Sequence, residues 1–182
     1  MNPYEQDIVI NNLKRSEFAI LSGLLELYKE KPFGSITVNE IMLAGHCARN
    51  TFYKYFKDTS EALSVLENVY LTKIYKVITR QQGFRIQSYS YVEEMLKVLL
   101  ADRDAYMTLL VIRPNYRMIE KWKNIIKYQL YEYIPEKNRT PLLLEMYSTN
   151  VINALIFWLR NPLETSKEEV AKLLTRFNQA LY

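Results

Sequence analysis

The stretch Ile36-Thr37-Val38-Asn39-Glu40-Ile41-Met42-Leu43-Ala44-Gly45-His46-Cys47-Ala48-Arg49-Asn50-Thr51-Phe52-Tyr53-Lys54-Tyr55-Phe56-Lys57 decides how the rest of this chain is read. Thr37 and Glu40 have the spacing of a capping box, in which the hydroxyl takes the amide three residues on and the carboxylate returns to the cap's own amide. Ile36 and Ile41 flank the box at the spacing of a hydrophobic staple. The pattern predicts a short helix from Val38 to about Ala44, with Gly45 as the residue able to adopt positive φ. After Gly45-His46-Cys47 a second apolar pattern begins. It turns Phe52 and Phe56 inward and leaves Arg49, Asn50, Tyr53, Lys54 and Lys57 outward. Two short helices around a three-residue turn describe a helix-turn-helix, whose second helix enters the major groove of DNA through its N-terminal half.

Outward from this centre the chain reads as helices and short connections. A first helix is predicted over 11–31, with Leu13, Phe18, Leu21, Leu24, Leu25 and Tyr28 recurring every three or four residues, and Pro32 stops it. Asp58 and Glu61 repeat the capping spacing and open a long helix through Leu63, Leu66, Val69, Tyr70 and Ile74. Gln81-Gln82-Gly83-Phe84 reads as a break, and further helices follow over 92–101, 105–113, 116–134, 141–160 and 167–181. Thr140-Pro141 and Ser166-x-x-Glu169 are N-terminal signatures. With 4 Gly, 6 Pro, no internal repeat and no convincing strand, the chain is predicted all-α. An N-terminal three-helix helix-turn-helix domain (1–57) is linked by a long helix to a C-terminal helical bundle (58–182).

Composition narrows the function classes. A chain of 182 residues, 49% apolar, buries roughly 70% of its unfolded surface and needs no staples. One Cys and one His exclude an internal disulfide and a zinc site of the usual Cys/His kind, and no metal or cofactor is expected. The lone thiol fits a reducing compartment. The N-terminus lacks the basic flank and apolar run of a signal peptide. The run from Val151 to Leu159 is far below the ~20 residues of a bilayer span. A cytoplasmic protein without membrane contact is expected. The net charge of +4 is unevenly spread: 8 basic and 9 acidic residues up to Tyr75, against 16 and 11 beyond it. The DNA-reading half is thus near −1, and single side chains rather than bulk charge must do the binding.

Ile36-Thr37-Val38-x-x-Ile41-x-x-Ala44-Gly45, then Thr51-Phe52-Tyr53-Lys54-Tyr55-Phe56, then Leu63, resembles the signature of tetracycline-repressor (TetR/AcrR) family regulators. The likeness covers about 11–75. Phe157-Trp158-Leu159-Arg160-Asn161-Pro162 followed by Ser166-x-x-Glu169 faintly resembles the dimerisation end of a subgroup related to dihydroxyacetone-kinase regulators. The resemblance implies that Thr37 bonds a phosphate at a helix N-terminus. It implies that Arg49 and Asn50 read base edges, Arg suiting guanine and Asn adenine, and that Thr51 meets a phosphate or a thymine methyl. Tyr53 and Lys54 would grip the backbone, with Tyr55 and Lys57 as further contacts. Three departures stand out: Cys47 in place of a Ser cap, His46 in place of a small apolar residue, and Thr59 in place of a common Lys. The loss of that Lys implies weaker, more salt-limited or more readout-dependent binding than in strongly basic relatives.

The second half is expected to hold effector and partner. The helix over 141–160 is apolar around much of its girth and must bury two faces. Leu144, Tyr147, Val151, Leu155, Trp158 and Leu159, with Leu173, Phe177 and Leu181 on the last helix, are the candidate dimerisation residues. Two helices from each subunit would form a four-helix interface under a two-fold axis, which the resemblance also implies. Tyr89, Tyr91, Tyr106, Tyr116, Tyr128, Tyr131, Tyr133 and Tyr147 suit a ligand pocket, a wet helix surface or a dimer face equally. The stripe Met118, Ile119, Trp122 and Ile126 reads as core. The expected function is a homodimeric, ligand-responsive repressor that binds a palindromic operator in double-stranded DNA and senses a small molecule. The alternative is a helix-turn-helix regulator, repressor or activator, whose second half binds a protein. No nucleophile–base pair, phosphate loop or metal cluster points to an enzyme.

Overall fold

The structure is a computed structural model that describes residues 12–80 and 88–181, with Arg80 in backbone only. The Gln81–Phe84 break and the predicted helix start at Asn11 lie outside the described residues. Among the described residues there are nine α-helices and no strand: α1 (Arg15–Glu30), α2 (Val38–Ala44), α3 (Arg49–Tyr55), α4 (Thr59–Arg80), α5 (Tyr89–Ala101), α6 (Arg103–Met107), α7 (Tyr116–Tyr133), α8 (Pro141–Arg160) and α9 (Lys167–Gln179). The protein is all-α, as its sequence predicts. The starts match the capping chemistry. The Thr37 hydroxyl accepts from the Glu40 amide, Asp58 takes the Glu61 amide at 2.9 Å, Thr140 caps α8 with Pro141 in its first turn, and Ser166 and Glu169 form a full capping box on α9.

The predicted helix over 105–113 is instead the short α6 running into a π-helical turn, Thr108–Ile112. There the Arg113 amide reaches back to the Thr108 carbonyl at 2.9 Å and the Asn115 amide to Leu109 at 2.7 Å. The Thr108 hydroxyl, buried, bonds the Asp104 carbonyl at 2.8 Å. The wider turn rotates Arg113 and Asn115 toward α1 and α4, where both are used.

Two readings of the first helices change. Phe18 lies on the rim of the α1 apolar arc and is 61% exposed, while Ile20, Leu21, Gly23, Leu24 and Tyr28 form the buried face. Gly45 is not left-handed: its φ is −82°, and His46 carries the positive φ of 50°. Gly45 is needed for another reason. A Cβ there would sit 2.7 Å from the Ala19 carbonyl oxygen, and one at Gly23 would sit 2.6 Å from the Gly45 amide nitrogen. α1 and α2 therefore touch backbone to backbone, and the turn's left-handed residue moves on to His46, a type that tolerates that region better than most.

This contact seats Ile41 and Met42 of α2, Phe52 of α3 and Phe56 against Ile20, Leu24 and Leu63. The same core continues along α4 through Leu66, Leu71, Ile74 and Ile78 to Leu96, Leu99, Leu109 and Trp122. α8 is long and apolar enough to cross a membrane by length and composition alone. In the fold it buries Tyr147, Ile152, Leu155, Trp158 and Leu159 and leaves Leu142, Met146 and Phe157 exposed.

The helix crossing sets a testable cost. Gly23→Ala gains helix propensity of about 1 kcal/mol, but it forces the α1–α2 backbones apart and is expected to lower stability by about 1–3 kcal/mol, the usual cost of overpacking. Gly34→Ala, with nothing within 4 Å of the added Cβ, is the control and should stay within about 0.5 kcal/mol of the parent in urea denaturation.

Candidate nucleic-acid interface

α3 is held from one side only. Phe52 is fully buried and Phe56 nearly so, their rings 5.6 Å apart, which fixes the roll of the helix. Arg49, Asn50, Tyr53, Lys54 and Lys57 are exposed, and Thr51 and Tyr55 are half-buried. The predicted DNA-facing residues on α3 thus share one outer surface. Two ammonium groups approach the Tyr55 ring, Lys14 at 5.6 Å and Lys54 at 5.8 Å from its centroid, so this half-buried phenol gathers positive charge at the end of α3.

The cap of α3 differs from the expected one. Ala48, not Cys47, is the N-cap residue and gives no side-chain bond. The chain is still extended at Ala48, so Cys47 sits one residue too early, and its thiol donates instead to the Gly45 carbonyl at 3.2 Å. The first-turn amides of α3 therefore have no side-chain acceptor at the cap, and the exposed Arg49 and Asn50 stand beside them.

Thr37 is exposed at the start of α2, but its donors are engaged. Its amide donates to Glu40 Oε2 at 2.9 Å and its hydroxyl donates to the same oxygen at 2.8 Å. Glu40 also accepts from Lys31 Nζ at 2.5 Å, which ties the end of α1 to the start of α2. The Lys31 ammonium, then the Thr37 bonds, hold the Glu40 carboxyl down at about 2.

Behind the interface a buried junction joins α1, α4 and α7. Glu67 of α4 is fully buried. It accepts from Asn115 Nδ2 at 2.8 Å, from Arg117 Nε at 3.0 Å and Nη2 at 2.8 Å, and from Lys121 Nζ at 3.2 Å. Arg113, just beyond the π turn, donates through Nη2 to the Glu30 carbonyl at the end of α1, at 3.0 Å. Sequence reading passed over both: neither Glu67 nor Arg113 belongs to a motif, and each is paired across dozens of residues.

Between α5, α7, α8 and α9 lies a small apolar cavity of about 40 Å³. Tyr91 and Tyr147 line it, as do Trp122 and Ile126 from the stripe read as core. The other second-half tyrosines divide. Tyr106 is buried and donates to the Tyr70 carbonyl at 3.0 Å, whereas Tyr89, Tyr116, Tyr131 and Tyr133 are exposed. Trp122 Nε1 is buried without a hydrogen-bond partner among the described residues, a condition that costs about 1–3 kcal/mol.

Of the candidate dimerisation residues, Tyr147, Leu155, Trp158 and Leu159 point into the protomer's own core, Leu144, Val151 and Leu181 are half-buried, and Leu173 and Phe177 are exposed. The unburied apolar stripe of α8 is Leu142, Met146 and Phe157, one face around from the residues singled out in the sequence. No group of three or more His, Cys, Asp or Glu residues suited to a metal occurs among the described residues.

Helix-turn-helix geometry on an all-helical body defines the class: a transcriptional regulator of the helix-turn-helix type. A family model described as a transcriptional regulator C-terminal region, of the TetR type, matches residues 87–179, just over half of the sequence. The chain belongs to the TetR/AcrR family of transcriptional regulators. It is similar in fold to a TetR regulator from Streptococcus agalactiae (TM-score 0.68, 18% identity, covering 90% of this chain and 93% of that one). It is also similar to the fatty acid degradation regulator FadR from Bacillus halodurans (0.66, 14%, 92% and 96%). A third likeness is NalD of Pseudomonas aeruginosa, described as the secondary repressor of the MexAB-OprM multidrug efflux pump (0.62, 16%, 91% and 96%). No curated protein matches the chain by sequence.

The Glu40 geometry predicts a pH response. Its carboxyl sits at about 2 in the fold against an ordinary value of 4.5. The stability it contributes is therefore complete above the higher value and drains away as pH falls toward the lower. Unfolding midpoints measured from pH 6 down to pH 2 should fall more steeply for the parent than for Glu40→Gln. Parallel curves would remove Glu40 as an anchor of α2.

Proposed function

We propose that this protein is a cytoplasmic, homodimeric repressor without enzymatic activity that binds a palindromic DNA site and releases it when a small molecule occupies the cavity. The observation that carries the reading is the outer surface of α3. Residues able to meet bases and phosphates are exposed there, while Phe52 and Phe56 lock the helix from behind. Residues 1–57 form the DNA-binding unit in this reading, and 58–182 the effector and dimerisation unit.

Arg49 and Asn50 at the start of α3 read base edges, and Thr51, Tyr53 and Lys54 hold the sugar-phosphate backbone, with Tyr55 and Lys57 at the margin. Thr37 contributes its hydroxyl to a phosphate only by loosening the bond to Glu40. The second copy covers the stripe of Leu142, Met146 and Phe157 on α8 with Leu173 and Phe177 on α9, all exposed in the protomer. Leu144, Val151 and Leu181 lie at its edge, and Tyr147, Leu155, Trp158 and Leu159 support it from inside. A two-fold axis through this four-helix contact presents two recognition helices, hence an inverted-repeat site. The cavity favours a small molecule over a protein as the effector. A ligand that prefers the conformer with wrongly spaced α3 helices weakens DNA by the same coupling free energy with which DNA weakens the ligand.

Sequencing of genomic fragments retained by the purified protein should return a short inverted repeat. On that site Arg49→Ala is expected to cost about 1–3 kcal/mol and to relax preference at one position per half-site. Equal loss on every sequence would reassign Arg49 to a phosphate. Phe157→Asp combined with Leu173→Asp should raise the dimer dissociation constant about 100-fold or more, read by sedimentation. An unchanged dimer would move the interface elsewhere.

A further inference from the structure

A cleft of about 290 Å³ opens between the turn after α1, the start of α4 and the start of α7. That volume is at the small end of ligand sites. Its floor is closed, with Glu67 and Asn115 buried. Phe33, Ser60, Tyr116 and Arg117, half-buried or exposed, form the part that a solute meets. Tyr116 is 75% exposed, and the Phe33 ring is held edge-on by Tyr28 with centroids 6.2 Å apart. Arg117 donates to Glu67 through Nε and Nη2, while Nη1 has no acceptor among the described residues. The Arg117 side chain is still 49% exposed. Positive charge is in surplus here. Arg117 and Lys121 both face the one carboxylate of Glu67. Arg113 adds a third cation, its Nε buried without an acceptor among the described residues. Burial, then Glu67, pushes the Tyr28 phenol up, and the Arg113 and Arg117 charges both oppose this. The two guanidiniums therefore converge behind the cleft.

A cation entering this cleft meets like charge. A neutral ring covers the aromatic walls and leaves the guanidinium edge to water. A planar anion satisfies both, since its ring covers Phe33 and Tyr116 and a carboxylate matches the donor fork of arginine. We propose that the cleft is a ligand site for a small aromatic carboxylate, held by Arg117 and stacked on Tyr116 and Phe33. It shares no wall residue with the apolar cavity, so it goes beyond the effector reading above and does not depend on it. A ligand there touches Phe33 of the proposed DNA-binding unit and Tyr116 of the other unit, where the two meet.

Three probes share one ring system and differ in charge: 2-naphthoate, 2-naphthylmethanol and 2-naphthylmethylammonium. Binding to the full-length protein is read from backbone amide and arginine Nε–H signals in ¹⁵N-correlated spectra. Arg117→Lys, which leaves Glu67 a cationic partner, assigns the Arg117 signal. 2-Naphthoate should bind and move the signals of Arg117, Tyr116 and Ser60. The alcohol should bind about tenfold more weakly, the worth of one charge-assisted hydrogen bond, and the ammonium should not bind. Ser60→Asp puts a carboxylate at the mouth, in the first turn of α4, where an acid is tolerated. It should weaken 2-naphthoate about threefold or more and leave the alcohol as it was. Tyr116→Ala, at an exposed position, should weaken both. Equal binding of all three probes overturns the proposal. So does 2-naphthoate that moves signals around the apolar cavity instead, or that fails to bind at millimolar concentration. A Ser60→Asp effect equal on the alcohol, or a Tyr116→Ala variant that binds as the parent does, overturns it too.

Discussion

The carboxylate of Glu67 is the constraint around which this fold is arranged. It has no exposure to water, and a charge so placed is tolerable only when paired and hydrogen-bonded. Asn115, Arg117 and Lys121 supply the donors from the start of α7. Arg117 and Lys121 keep contact with solvent while they do so, so their own desolvation is partial. The position of α4 is therefore dictated by α7. α4 packs on α1, α3 is seated on α1 and α2, and α2 follows α1 through the Gly23–Gly45 contact. Displacing α4 means breaking or re-forming these bonds as a set, which makes its position switch-like rather than continuously adjustable.

Much of this was legible in the sequence, and the division between what was and was not is physical. Capping boxes are local: Thr37/Glu40, Asp58/Glu61 and Ser166/Glu169 announce helix starts from three-residue spacings, and the structure realises each. The inward pair Phe52 and Phe56 is likewise a local pattern. Composition points to Gly45 as the left-handed residue of the turn, because glycine bears that conformation at least cost. The contact with Ala19 that claims Gly45 instead lies more than twenty residues away along the chain. Cys47 holds the cap position of the sequence pattern but not of the fold, because one residue of extended backbone at Ala48 cannot be read from composition. The π turn was invisible for the same reason, since an extra residue in a helical turn leaves the apolar pattern almost intact.

The α8 face was the least legible feature. A helix apolar on most of its circumference shows that two faces are covered and does not show which is covered by what. Tyr147 illustrates the ambiguity: it is buried, bonds Asn178 in the cavity wall, and stacks on Phe177 of the exposed stripe with ring centroids 5.4 Å apart. The proposed effector site and the proposed partner surface are therefore separated by one pair of rings. Packed aromatic pairs transmit displacement rather than absorb it, because interiors packed like crystals have little room to yield.

α7 supplies the remaining link between the cavity and the proposed DNA surface. Trp122 lies in the cavity wall, and Lys121, Arg117 and Asn115, within the preceding two turns, hold Glu67. At about 1.5 Å of rise per residue, all four fall within roughly 10 Å along one rigid element. A molecule that draws or pushes Trp122 acts on the same helix that positions α4, with no flexible segment between them to dissipate the displacement. The π turn just before α7 adds a second arm through Arg113, whose bond to the Glu30 carbonyl reaches the end of α1. α1, which seats α3, and α4, which packs on α1, are thus both gripped from α7 and the turn before it, α4 by a buried carboxylate and α1 by a guanidinium on its C-terminus. A shift of α7 must change their relative placement or be resisted by both bonds at once.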